Sequence, residues 1–130
     1  MIRFYYHPTP NPQKISMMLE ACGLPYEVLP VDTRKGQQHD PAFRAINPNG
    51  KVPAIVDTDG PGSKEVRVFD SNAILLYLAE KSGKFLGKPE DRGEFLSWLM
   101  FIATGLGPFS GQAVHFQHVA PEGSDYGVNR

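Results

Sequence analysis

Cysteine is nearly absent from this chain: Cys22 stands alone among 130 residues. A single thiol excludes an internal disulfide framework and a Cys-x-x-Cys redox pair, and it suits a reducing compartment. Charge of one sign is missing too. Thirteen Lys and Arg against fourteen Asp and Glu leave a net charge of −1, and with no basic stripe a nucleic-acid footprint is not supported. Long apolar runs are lacking: "FLSWLMFI", residues 95–102, falls far short of the roughly 18–20 residues that span a bilayer. The start, "MIRFYYHP", has no apolar stretch behind a basic one, so no signal peptide is expected. Repeats and low-complexity segments are missing as well. The expectation is a soluble, cytoplasmic protein with neither a membrane nor a nucleic-acid partner. What is present is ordinary for a globular chain: 41% hydrophobic residues plus 13 glycines, in a length that suits one compact domain.

The pattern along the chain alternates. "IRFYY" (2–6) has the aromatic and β-branched content of a strand. Asn11 is a good helix cap, Pro12 suits a first helical position and Gly23 a helix stop. Between them Ile15, Met18, Leu19 and Cys22 recur at the spacing of one apolar helix face. "YEVLPV" (26–31) predicts a second strand, which Pro30 pushes toward a sheet edge. A polar loop leads to a short helix around 41–46. Turn signals in "INPNG" precede the short apolar strand that ends "AIVD", and after a loop "VRVF" (66–69) predicts a fourth strand antiparallel to the third. Ser71 is placed to cap a helix over 72–83. The order reads β-α-β-α-β-β-α over residues 1–83.

Beyond it the composition changes. Residues 84–90 read as a linker, and 91–130 as a helical region. "GEFLSWLMFIATGLGPF" is apolar on nearly every side, and such a helix must be buried against something. The chain stops just where another helix would start, as if a helical domain were truncated.

"NPNGKVPAIVD" followed after a loop by "VFDSNAILLYLAEK" resembles the N-terminal domain of cytosolic glutathione transferases. "PTPNPQKI" narrows the resemblance to the Nu-class and the related fungal nitrogen-regulator group. The resemblance covers residues 2–83 and continues weakly through "GLGPFSGQAVHFQHVAPEG". It implies an α/β, thioredoxin-like domain with a four-stranded mixed sheet, followed by the beginning of an all-α domain. It implies glutathione as co-substrate, no metal, a homodimer, and a small disulfide or electrophile as the second substrate.

The resemblance also distributes roles among residues. Thioredoxin-like redox proteins place a cysteine where the first strand meets the first helix, and here that junction holds Thr9 and Asn11. Neither can be a redox centre, so the sulfur comes from the ligand. A thiol reacts as thiolate, and its pKa near 8.5 must fall for reaction at neutral pH. The helix N-terminus, the Thr9 hydroxyl and the Asn11 amide are the donors that favour the charged form. The Val52–Pro53 bond is expected to be cis, with the Val52 backbone pairing with glutathione as an added strand. Asp70 and Ser71 would hold the γ-glutamyl end, carboxylate to ammonium and hydroxyl to carboxylate. The family usually has Glu in place of Asp70, one methylene longer. Lys51 and Gln38 would reach the glycine end. Without the resemblance, Asn11 and the Asp70–Ser71 pair read as helix caps, and Thr9, Gln38 and Lys51 as loop or surface residues.

Other candidates carry less. Tyr5 and Tyr6 face opposite sides of a strand, one a core aromatic and the other a surface one. Cys22 lies on the apolar stripe and reads as a small core residue. His115 and His118 have metal-like spacing, but no Cys or paired carboxylate stands near to complete a zinc site. By resemblance this segment and Trp98 border the second-substrate cleft, and packing is an equal reading. The leading function is a glutathione-dependent disulfide reductase or transferase. The alternative is a glutathione-binding regulatory or assembly module of the same fold without useful turnover.

Overall fold

The computed structural model describes residues 1–121. The chain forms two compact units, Met1–Leu86 and Gly87 onward. In the first, β1 (Ile2–Tyr6), α1 (Pro10–Cys22), β2 (Tyr26–Pro30), α2 (Pro41–Arg44), β3 (Ala54–Asp57), β4 (Val66–Phe69) and α3 (Ser71–Ser82) follow the predicted order. The four strands form one sheet in the order β2-β1-β3-β4. β1 runs parallel to β2, with Ile2 opposite Tyr26 and Tyr6 opposite Pro30. It runs antiparallel to β3, with Tyr5 opposite Ala54, and β3 is antiparallel to β4, with Ala54 opposite Phe69. β2 is an edge strand, so Pro30 withholds no donor from a central ladder.

Alternation sorts the side chains between two cores. Ile2 and Phe4 of β1 and Ile55 of β3 meet Ile15 and Leu19 of α1 and Ile74 and Leu78 of α3, all fully buried. The opposite sheet face carries a smaller cluster of Val31, Phe43 and Ala54. Tyr6 packs against the larger cluster and Tyr5 lies against Phe43, ring centres 5.7 Å apart. Both tyrosines are therefore half-buried. The expected surface aromatic is corrected: α2 covers the face that a strand pattern alone leaves open.

Two helix starts differ from expectation. α1 begins at Pro10 with Thr9 in the cap position, φ −128° and ψ 161°. The first-turn N–H groups have no intrahelical acceptor anyway, so a helix accepts both Pro10 and Pro12 there. α3 begins at Ser71, and its cap is Asp70, whose Oδ1 accepts from Asn72 N at 2.8 Å and Ala73 N at 3.3 Å. Ser71 is inside the helix rather than capping it. In the β3–β4 loop, Gly60 is pinched: an added Cβ would sit 2.7 Å from the Lys64 carbonyl oxygen.

Asp57, at the end of β3, is fully buried. Its Oδ2 accepts from Tyr77 Oη at 2.7 Å and pairs with Lys81 Nζ at 2.9 Å, and its Oδ1 accepts from Asp59 N at 3.0 Å. This network ties α3 to the sheet at the end away from Ser71. Burial pushes the Asp57 pKa up, but the hydrogen bonds from Lys81, Tyr77 and Asp59 N and the Lys81 charge outweigh it, leaving it below its ordinary value. Burial and the Asp57 carboxylate push the Tyr77 pKa up.

In the second unit, α4 (Arg92–Phe101) and α5 (Gly107–His118) are joined by a π-helical segment, Ile102–Leu106. Pro108 explains the wide turn. A proline inside an α-helix collides with the carbonyl four residues back, here that of Thr104, and π-type widening just ahead of it removes the clash. Trp98, Phe101, Leu106 and Phe109 on these helices are exposed. Residues 122–130, including the end of the weakly resembling segment, lie outside the described residues. Among the described residues no helix is long and apolar enough to cross a membrane.

Candidate functional site

The site builds from the ends of the central strands. Continuing the β1–β3 register beyond Tyr5–Ala54 sets Tyr6 opposite Pro53. Continuing β3–β4 beyond Ala54–Phe69 sets Pro53 opposite Asp70. The Val52–Pro53 bond is cis, and it stands between the chain entering Thr9 and the chain entering α3. The two helix starts meet there: Ser71 Oγ lies 3.5 Å from Asn11 Oδ1. Thr9, Asn11, Val52, Pro53, Asp70 and Ser71 thus share one end of the sheet.

The prolines have a consequence for donors at this end. Of the amides at the α1 start, Pro10 and Pro12 have none, and Thr9 N donates to His7 O at 2.7 Å. Gln13 N already reaches Thr9 O at 3.2 Å. Among the described residues, Asn11 N–H is left as the one open backbone donor of the first turn. The Thr9 hydroxyl makes no cap bond, and both Thr9 and Asn11 are exposed. The turn therefore offers a few fixed donors at the positive end of a helix dipole, where an anion is stabilised.

Asp70 has a positive φ of 69°, a sparsely populated conformation for a residue with a side chain, of the kind that gathers at functional sites. Both of its cap bonds use Oδ1, so among the described residues Oδ2 accepts no hydrogen bond. Ser71 is buried at 7% exposure, and as the first residue of α3 its N–H has no intrahelical acceptor.

Gln38 and Lys51 form a separate pair along the adjoining loop. Gly50, at φ +63°, lies against Gln38: a Cβ there would sit 3.2 Å from the Gln38 carbonyl oxygen. Lys51 is exposed, and among the described residues no hydrogen bond joins either residue to Asn11 or Ser71. Gln38 Oε1 is buried without a hydrogen-bond partner among the described residues. Asn47, which turn chemistry alone marks as a loop residue, holds this loop from inside. It is 2% exposed; its Nδ2 donates to Lys51 O at 2.6 Å and its Oδ1 accepts from Asn49 N at 3.0 Å. By fixing the Lys51 carbonyl it orients the peptide that leads into Val52. A buried asparagine in "NPNG" has no sequence signal that separates it from an exposed turn asparagine.

Cys22 is buried, with Ser82 Oγ donating to its Sγ at 3.2 Å, on the core-facing side of α1. A hollow of about 340 Å³ opens between Tyr6–Pro8 and Pro30–Asp32 with Arg34. It borders the Thr9 turn but holds none of the eight predicted residues.

The family model for the glutathione S-transferase N-terminal domain matches residues 9–81. The chain belongs to the glutathione S-transferase family. Among this family's members, disulfide-bond oxidoreductase YfcG of Escherichia coli is 46% identical over 132 residues, covering 100% of this chain and 61% of that protein. The transcriptional regulator URE2 of Saccharomyces cerevisiae is 33% identical over 122 residues, covering 88% of this chain and 34% of that protein. A crystal structure of a glutathione transferase family member from Pseudomonas fluorescens, with two glutathione bound, superposes with a TM-score of 0.93 at 42% identity. That superposition covers 99% of this chain and 58% of the other, and with it the glutathione S-transferase domain takes the thioredoxin-like fold. This chain spans about three fifths of YfcG.

Proposed function

We propose that this chain binds glutathione across the α1–α3 junction and presents its thiolate to a disulfide or an electrophilic carbon. The observation that carries the reading is the meeting of two helix N-termini, Asn11 to Ser71 at 3.5 Å, beside the cis Val52–Pro53 bond. Thr9 Oγ1, Asn11 N–H and the Asn11 amide are the donors for the sulfur. The α1 dipole adds to them, and together they lower the thiol pKa and raise the thiolate fraction. Val52 pairs with the ligand backbone, Asp70 Oδ2 takes the γ-glutamyl ammonium and Ser71 its carboxylate. Gln38 and Lys51 reach the glycine end.

In the reductase reaction the glutathione thiolate attacks one sulfur of a disulfide. A glutathione mixed disulfide forms as the other sulfur leaves as thiolate. A second glutathione thiolate then attacks the mixed disulfide at the glutathione sulfur, releasing oxidised glutathione and the remaining thiolate. In the transferase reaction the same nucleophile attacks carbon and expels a leaving group. The disulfide reaction is the favoured one, supported by the 46% identity to a disulfide-bond oxidoreductase.

The working form is proposed to be a cytoplasmic homodimer. A lone buried thiol suits a reducing compartment. The exposed Trp98, Phe101, Ile102, Leu106 and Phe109 form the kind of apolar surface that marks an interface.

Retention on immobilised glutathione, followed by turnover of a small dialkyl disulfide and of an aryl halide on one preparation, tests the reading. Retention with turnover supports it, and failure to bind overturns it. The regulator among the relatives favours a second reading, a glutathione-binding regulatory module, which predicts retention without turnover of either substrate.

A further inference from the structure

Lys14 is a charged residue in a place that neither helix favours. It stands three residues past Asn11 on α1, so the two share a helix face. Its Nζ donates to Asn72 Oδ1 at 3.3 Å, in the first turn of α3. A cation there meets the positive end of the α3 dipole, which is the unfavourable end. The side chain is half-buried, and burial pushes its pKa down by more than the Asp70 charge pushes it up.

Helix capping supplies no reason for this arrangement. Asp70 Oδ1 already caps α3 through Asn72 N and Ala73 N. None of the ion pairs among the described residues includes Lys14. The ammonium instead rests on Asn72, next in sequence to Ser71, whose own N–H has no intrahelical acceptor and whose Oγ stands 3.5 Å from Asn11 Oδ1. A cation beside the start of α3 adds positive potential to that helix N-terminus, which suits an anion.

We infer that Lys14 is a further ligand-binding residue, whose ammonium takes the α-carboxylate of a γ-glutamyl group seated on Ser71. The inference rests on the glutathione reading above and adds a source of selectivity to it. Asp70 selects for the ammonium of the γ-glutamyl arm, and Lys14 selects for its carboxylate. An amino-acid end is recognised only when both charges are present.

The test compares two ligands on the whole 130-residue chain by titration calorimetry. One ligand is glutathione. The other is 4-aminobutanoyl-cysteinylglycine, which keeps the amine, the thiol and the glycine carboxylate but lacks the γ-glutamyl α-carboxylate. Replacing Lys14 by Met removes a charge-assisted hydrogen bond, so glutathione should bind about tenfold or more weakly. The decarboxylated ligand should bind Lys14→Met within about twofold of its affinity for the unaltered chain. Lys14→Gln keeps a donor for Asn72 without the charge, so it should behave as Lys14→Met does. Lys14→Arg should restore most of the preference. Equal losses for both ligands in Lys14→Met and Lys14→Gln, or no loss for either, would overturn the inference while leaving glutathione binding intact. An unaltered chain that binds neither ligand would overturn the glutathione reading itself.

Discussion

Replacing Tyr77 by Phe removes one hydroxyl from the buried end of β3 and leaves the ring in place. Asp57 Oδ2 then loses the 2.7 Å bond from Tyr77 and keeps Lys81 at 2.9 Å, while Oδ1 keeps Asp59 N at 3.0 Å. The Asp57 side chain is 0% exposed, so water does not replace the lost donor. A hydrogen bond to a charged group is worth about 1.5–3 kcal/mol. In a unit of this size about 2 kcal/mol corresponds to a fall in Tm of roughly 8–16 °C. Urea unfolding of both proteins at neutral pH reads the difference directly. The pH dependence carries the sharper test. Asp57 has a folded pKa below its ordinary value, so the unfolded chain takes up the proton first as the pH falls. The stability contributed by Asp57 is therefore fully present above the ordinary carboxylate pKa near 4, and it is lost as the pH falls through the folded value. Removing the Tyr77 donor moves the folded pKa back toward the ordinary one. The gap between the two proteins should then narrow as the pH falls through the ordinary carboxylate range near 4 and below it. A gap that is absent at neutral pH, or constant across that range, would refute the network as the source of the stability.

Thr9→Ala and Asn11→Ala should each lower disulfide turnover about tenfold or more, the loss of a charge-assisted donor, whereas Cys22→Ala should keep it. A folded Cys22→Ala protein without activity would move the reactive sulfur from the ligand to the protein. Asn47→Ala leaves the Lys51 carbonyl and the Asn49 N–H without their buried partner. It should cost about 1–3 kcal/mol in urea unfolding and weaken glutathione binding through Val52; unchanged calorimetric affinity would separate Asn47 from the site. Gly60→Ala forces a Cβ against the Lys64 carbonyl and should lower Tm, and a Tm within about 2 °C of the unaltered chain's would contradict the tight turn. Light scattering should give a mass of at least two chains, and a monodisperse 14.4 kDa species would refute the homodimer.

Much of the first unit was legible in the amino-acid order. Strand-forming runs, the apolar stripe through Ile15, Leu19 and Cys22, and Gly23 and Gly83 at helix ends are short-range signals, each set by backbone sterics and the helical or pleated period. The motif around Val52–Pro53 and Asp70–Ser71 likewise pointed to the family, because its residues are neighbours in sequence. Helix starts were less legible. Thr9, Asn11, Asp70 and Ser71 are all acceptable caps, and only the path of the folded backbone selected Thr9 and Asp70.

What the tertiary structure decided depends on residues distant in sequence. Nothing local indicates that Ser71 comes to 3.5 Å from Asn11, since the two stand sixty positions apart with three strands between them, and the register of β1, β3 and β4 sets the meeting. Burial at Asn47 and Asp57 follows from neighbours packed over them, so the same residue types in the same turns would be solvated elsewhere. The pleat alone assigns Tyr5 and Tyr6 to opposite faces, but α2 determined that both faces are covered. Lys14 is an unremarkable helix lysine in one dimension. It becomes a cation at the wrong end of a dipole only when α3 is laid beside α1, because a dipole and a charge interact through space and not along the chain.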